Sequence, residues 1–182
     1  MKLTGDTDSF ARTGGYTNLA DADKSFSIAM WIKPNATKGT LAHVSSNADG
    51  TGWCIPFLGF DEHGQLVAQV IQGQGEGESE FVIARSPTLL VKNEWAHVVM
   101  TWKPHGSNRL YVNGVKVAVT AGDTYRGRGD GSMFVTWGSS AGAACWKGAI
   151  EMSGFTGEIS QMSVFDTELS AAQIGTMARA KH

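Results

Sequence analysis

The chain has 182 residues, 42% of them hydrophobic, and a formal net charge of −2. That length suits a single domain with a sizeable core, and the near-neutral charge excludes capture of nucleic acid or anionic membrane by charge alone. Glycine is abundant at 23 residues and proline scarce at 4, which reads as short strands joined by glycine turns and not as disorder. No apolar run is long enough for membrane insertion. The opening MKLTGDTDSF lacks the apolar stretch of a signal peptide. The chain is therefore read as a mature or excised domain, in preference to a cytoplasmic protein.

Lys2-Leu3 starts a first strand, and Gly5-Asp6-Thr7-Asp8 is a polar turn. Residues 16–20 are expected to pair briefly. In 25–34, SFSIAMWIKP, Phe26, Ile28, Met30 and Ile32 alternate with Ser27, Ala29 and Trp31, the period of a strand. Pro34 ends it, because proline cannot donate to a ladder. Residues 40–45 and 53–60 read as paired strands around the turn 47–52, and 65–72 returns as a strand after a turn at 61–64. The acidic, small-residue segment 73–80, GQGEGESE, has no periodicity and is expected to be a mobile loop. A short strand follows at 81–84.

The stretch 95–118, WAHVVMTWKPHGSNRLYVNGVKVA, contains a hairpin whose register can be read from Asn113-Gly114. Both central residues of a type I′ turn need φ > 0, which these two supply. A two-residue turn sets Val112 against Val115, Tyr111 against Lys116, Leu110 against Val117 and Arg109 against Ala118. Leu110, Val112, Val115 and Val117 then share an apolar core face. Arg109, Tyr111 and Lys116 share the other, wet or partly covered.

A second glycine-rich loop, GDTYRGRGDGS, spans 122–132. Strand 133–138, loop 139–148 and a long strand 155–165 complete the sheets. Ser170 and Gln173 then fit a capping box, with Leu169 and Ile174 as its hydrophobic staple. The helix should run from about 171 to 180 with Ile174, Met177 and Ala178 on one side. Arg179, Lys181 and His182 suit its C-terminal dipole. Cys54 and Cys145 lie far apart, which excludes a CxxC motif. Two buried free thiols is the preferred reading, with a long-loop disulfide as the alternative.

In order along the chain, SFSIAMWIKP, NEWAHVVMTWKP, RLYVNGVKVA and FTGEISQMSVFDTELSAAQI resemble the landmark strands of the concanavalin A-like, laminin G-like and pentraxin-related jelly-roll family. The resemblance implies an all-β fold: two curved antiparallel sheets forming a β-sandwich, with a short C-terminal helix, over one domain, 1–182. It also implies binding of glycans, proteins or peptides, often with calcium. Many members of the family carry Asp-Glu where this chain has Ser160-Gln161; in related proteins that acidic pair serves a calcium near the chain ends.

No catalytic site is expected. Glucanases of this fold align carboxylates along one strand face, whereas Glu151 and Glu158 are isolated here and Asp61-Glu62 lies in a turn. His43, His63, His97, His105 and His182 show no nucleophile motif beside them. The spacing Ser45-x-Asn47-x-Asp49-Gly50 matches the start of an EF-hand loop, but its twelfth position is Pro56, so it reads as a turn. Asp123 and Asp130 bracket a glycine-rich loop with free carbonyls and are the candidate calcium ligands. Arg128-Gly129-Asp130 is read as a chance tripeptide, and Asn35-Ala36-Thr37 is a sequon that matters only in a secreted eukaryotic protein.

Aromatics at loop edges carry the binding expectation. Flat rings stack on the C–H faces of sugars while neighbouring polar groups bond hydroxyls. The expected ligand site is Asn47, Asp49, Trp53, Tyr125, Arg126, Trp137 and Trp146; Trp31, Trp95 and Trp102 are read as scaffold. The expectation is a non-catalytic, monomeric module that binds a glycan or peptide on another surface. It would belong to an adhesin or another multidomain extracellular or surface protein. A peptide- or protein-binding module and a decoration domain of a large assembly, including a viral one, are the alternatives.

Overall fold

The computed structural model describes residues 1–73 and 77–180. Its twelve strands are β1 (Lys2–Thr4), β2 (Ala11–Tyr16), β3 (Phe26–Pro34), β4 (Thr40–Ser45), β5 (Cys54–Phe60), β6 (Leu66–Ile71), β7 (Phe81–Arg85), β8 (Ala96–Lys103), β9 (Gly106–Val112), β10 (Val115–Gly122), β11 (Met133–Trp137) and β12 (Thr156–Phe165). They form two six-stranded antiparallel sheets, ordered β1-β12-β3-β8-β9-β10 and β2-β11-β4-β5-β6-β7. This is the sandwich that the sequence landmarks imply. One early pairing differs from expectation. The strand lies at Ala11–Tyr16, and beyond it the chain turns, with the Ala20 amide donating to Thr17 O. Of the acidic loop, 74–76 lie outside the described residues, and Glu78–Glu80 form a 3-10 turn.

The core lies between the sheets. Phe26 from β3 stacks on Phe57 from β5, centroids 5.5 Å apart, so the two layers meet ring to ring. Asn108 crosses between the layers: its side-chain amide donates to Ala68 O at 2.8 Å and Val82 O at 2.9 Å. A buried amide with those bonds satisfied ties one sheet to the other without the cost of an unpaired donor.

The β9–β10 hairpin turns at Asn113 (φ 50°) and Gly114 (φ 83°), as a type I′ turn requires. Val112 faces Val115 and Tyr111 faces Lys116. The register then shifts between Lys116 and Ala118, so Leu110 faces Ala118 and Arg109 faces Val119. This bulge corrects the expected pairing of Leu110 with Val117, because an extra residue on one strand moves every later partner. Val115, which precedes the bulge and keeps its expected partner, is nonetheless not core but 64% exposed, and it is Tyr111 on the other face that is buried.

Tyr111 is covered by helix α1 (Ala171–Arg179). It clusters with Ala29, Val99, Leu169 and Ile174 on the outer face of the first sheet. The Ser170–Gln173 capping box is formed, with Ser170 Oγ accepting from the Gln173 amide; such a cap contributes about 1 kcal/mol. A Cβ at Gly114 would lie 3.3 Å from both Ala178 Cβ and Gly175 Cα, so the helix packs directly on the hairpin tip. Lys181 and His182 lie outside the described residues.

Candidate functional site

The connection between β11 and β12 crosses the second sheet on the side turned from the core, and two devices hold it there. The first is Gln69 on β6. Its amide N–H group donates to Pro56 O and Lys147 O, each at 2.8 Å, and its Oε1 accepts from the Ala149 amide at 2.9 Å. Gly148 makes that approach possible: its φ is +58°, and a Cβ would sit 2.4 Å from Gln69 Oε1. The second is a disulfide between Cys54 on β5 and Cys145 on the connection. The preferred sequence reading of two free thiols is thereby corrected. The loop folds back across the sheet and brings together residues 91 positions apart.

These devices deliver Trp146 to Trp53. The two indoles meet edge to face at 6.1 Å, and the Arg126 guanidinium lies 5.2 Å from the Trp146 ring centroid. Trp53 also meets Tyr125 at 6.0 Å and Phe57 at 6.5 Å, so the aromatic series runs unbroken from core to surface. Beside it opens a groove of about 290 Å³ lined by Gly52, Cys54, Ala144, Cys145 and Trp146. The Trp53 indole N–H has no acceptor among the described residues. Asn47 and Asp49 are exposed on the adjoining loop. Thr51 organises them: its hydroxyl donates to Asp49 Oδ1 at 2.6 Å and accepts from Asn47 Nδ2 at 3.0 Å. The Thr51 side-chain and backbone bonds hold the Asp49 carboxyl below its ordinary pKa.

Two of the expected ligand residues are core instead. Tyr125 is 1% exposed, and its hydroxyl donates to Leu19 O at 2.7 Å. Burial pushes its phenol well above the usual value, so it stays neutral. The glycine-rich loop is draped, not free. The Arg126 amide donates to Ile71 O, and a Cβ at Gly127 would lie 2.2 Å from Ala20 O. Trp137 is fully buried, its indole N–H donating to Thr13 Oγ1 at 2.8 Å. Met133, Val135 and Trp137 alternate inward along β11, a two-residue period that the sequence carried.

The two carboxylates expected at calcium turn to different partners. Asp123 pairs with His105 at 2.7 Å and Asp130 with Arg128 at 3.4 Å. Calcium takes six to eight oxygens, usually including several carboxylates, and among the described residues no three carboxylates converge on one point. These residues do not fit a calcium site as they stand.

A polar cleft of about 430 Å³ had no sequence signal. Its lining includes Asp61, Gln65, Glu78, Arg85, Lys147 and Glu151. Asp61, 3% exposed, accepts from the His63 and Gln65 amides and from Arg85 Nε at 2.8 Å. Arg85 Nη2 also reaches Glu78 at 3.2 Å. Burial opposes the Arg85 charge, but Glu78 and then Asp61 outweigh it, and the guanidinium pKa is raised. Asp61 reads as a turn residue in sequence because its cation comes from β7, 24 positions away.

His43 was also missed. It is fully buried, and its Nε2 lies 3.0 Å from Gly50 O and 3.8 Å from Cys145 Sγ. Burial holds His43 and His97 below their ordinary value of 6.5. The unfolded chain therefore takes up protons at both sites before the folded one does. Stability present above 6.5 is lost as pH falls through the window below it. Urea midpoints measured on either side of that value should drop on the acid side, and drop less in His43→Gln. A flat profile would contradict this.

The model of the concanavalin A-like lectin/glucanases superfamily (Laminin_G_3) matches residues 5–175. The chain belongs to this superfamily. Among solved structures, this lectin/glucanase-type domain is similar to a heptameric SAP-like pentraxin from Limulus polyphemus, with a TM-score of 0.62 and 17% identity over 97% of this chain and 79% of that one. It is also similar to domain 4 of an extracellular arabinanase from Geobacillus stearothermophilus, solved with arabinotriose (TM-score 0.54, 14% identity, 98% and 87% covered). The binding domain of botulinum neurotoxin serotype G gives a TM-score of 0.57 at 14% identity, over 97% of this domain and 41% of that chain. Identities this low speak to the fold alone. Among curated protein sequences there is no significant match. No helix among the described residues is long and apolar enough to cross a membrane.

Proposed function

We propose that the domain is a non-catalytic glycan-binding module of a multidomain extracellular or surface protein. The observation that carries this reading is the Trp53–Trp146–Arg126 series beside the 290 Å³ groove. An indole offers a flat apolar face to the C–H side of a pyranose or furanose ring, and a guanidinium and loop amides supply donors to its hydroxyls. Asn47 and Asp49 extend the polar rim. The Cys54–Cys145 disulfide supports an oxidising compartment, and the fold resemblance to an arabinanase domain solved with arabinotriose supports a saccharide ligand. The reading routes nothing through calcium, so binding should be insensitive to its removal.

A glycan array with and without calcium, followed by calorimetry on the best hit, is the test. Trp146→Ala should weaken binding by at least about tenfold, since stacked aromatics at such sites contribute about 2 kcal/mol or more, while circular dichroism stays native and the unfolding midpoint falls only by what the lost packing on Trp53 costs. The absence of any hit, or full affinity in Trp146→Ala, would overturn the proposal. A second reading is peptide or protein binding, favoured by an apolar hollow of about 460 Å³ along α1, lined by Phe165, Leu169, Ala172 and Met177 among others. Competition by free peptide, but not by sugar, would support that reading instead.

A further inference from the structure

The disulfide under the groove has a neighbour that a purely structural crosslink does not need. Among the described residues, His43, Cys54 and Cys145 are the one group whose nitrogen and sulfur atoms all lie within 4.8 Å of one another. Three separate elements supply them: His43 on β4, Cys54 on β5 and Cys145 on the connection that follows β11. His43 and Cys54 sit on adjacent strands, with His43 opposite Pro56 and Ser45 opposite Cys54, so their spacing is fixed by the sheet. Cys145 lies outside regular structure and is half-buried. The groove is lined by both cysteines, which gives a small thiol reductant and an aqueous ion a route to the bond.

We propose that reduction of the Cys54–Cys145 disulfide creates a zinc site whose ligands are Cys54 Sγ, Cys145 Sγ and His43 Nε2. Neighbouring ligand atoms of tetrahedral zinc stand roughly 3.5 to 3.8 Å apart, given Zn–S near 2.3 Å and Zn–N near 2.0 Å. His43 Nε2 is already 3.8 Å from Cys145 Sγ. His43 Nε2 and Cys54 Sγ lie within 4.8 Å; the main change is the opening of the sulfur–sulfur separation, and the loop-borne Cys145 supplies that movement. Two small thiols, oxidised to their own disulfide, deliver two electrons and two protons to the protein. The two cysteine thiols then release two protons as they bind Zn²⁺. Coordination through Nε2 places the imidazole proton on Nδ1, which has no partner among the described residues, and breaks the bond to Gly50 O. Burial already favours the neutral imidazole that a metal needs. A water from the adjoining groove would complete the tetrahedron.

The consequence is that the Trp146 loop is tethered to β5 in both redox states, by a covalent bond in one and by an ion in the other. The test reduces the whole protein with a phosphine in metal-free buffer, adds Zn²⁺, desalts and counts metal per chain. Co²⁺ serves as the spectroscopic reporter of thiolate ligation. Reduced protein should retain one equivalent and show a thiolate-to-Co²⁺ charge-transfer band, whereas oxidised protein should retain none. Cys145→Ser should lose the band. His43→Gln should bind at least about tenfold more weakly, with both thiols still titratable and the far-UV circular dichroism unchanged. Reduced, folded protein without zinc would overturn the proposal. So would His43→Gln binding as tightly as the parent, or a domain that unfolds on reduction even with zinc present. None of these outcomes bears on glycan binding by the oxidised form, which is measured separately.

Discussion

Phe57→Ala is expected to lower stability by about 4 kcal/mol, the usual cost of emptying a buried phenylalanine site. For a chain of this size that corresponds to a drop in unfolding temperature of roughly 10 °C. Phe57 is fully buried, stacks on Phe26, and takes the edges of Tyr125 at 5.8 Å and Trp53 at 6.5 Å. The void would lie where the two sheets are joined and beneath the binding rim. Collapse of the rings around it is restrained by the Tyr125 hydroxyl bond to Leu19 O. Calorimetry checks the prediction, and a shift of only a degree or two would mean that the aromatic cluster repacks freely. Because Trp53 rests on the same ring, the variant should also weaken the proposed glycan binding without losing any residue of the proposed site.

Gln69→Ala is expected to free the connection between β11 and β12. The substitution leaves the Ala149 amide without its acceptor, and Lys147 O and Pro56 O without their donor. Unsatisfied buried groups of this kind cost about 1–3 kcal/mol each, part of it recovered by water at this edge. We expect a loss of about 3 kcal/mol, with faster amide hydrogen exchange from 139 to 150. The proposed glycan binding should weaken although Gln69 lies outside the aromatic rim. The disulfide should limit the damage, so Gln69→Ala combined with reduction should be far more harmful than either alone. Unchanged exchange in the loop would show that the disulfide suffices.

Where neighbours in sequence decide structure, the chain was legible. Alternation in SFSIAMWIKP gave β3 to its last residue, Asn113-Gly114 gave the turn type, and Ser170 with Gln173 gave the helix start. The failures are places where distant segments decide. Val117 is the extra residue of a bulge, and nothing in its own side chain announces it. Tyr125 sits in a glycine-rich run that reads as exposed, but the glycines serve close passage against Ala20, and the ring fills the core. Trp137 stands directly before a loop, which makes it a candidate ligand residue in sequence, although its spacing from Met133 and Val135 points inward. Of the expected ligand residues, Trp53, Arg126 and Trp146 do lie together, and their positions at loop edges are the signal that groups them in the sequence. What joined them, the Gln69 clamp and the disulfide, pairs residues about 80 and 91 positions apart and leaves no local trace.

The bulge in β10 also bears on how such a domain behaves in a crowd of its own kind. β10 is the outermost strand of its sheet, and Val115 and Val119 are exposed on it. A flat, regular margin with bare valines would invite a second molecule to anneal along it. Here the irregular register around Val117 puts the unpaired amides and carbonyls out of step with any straight partner, and exposed Lys116 adds a charge beside the kink. Copies strung in tandem or massed on a surface can therefore sit side by side without zipping into a shared sheet.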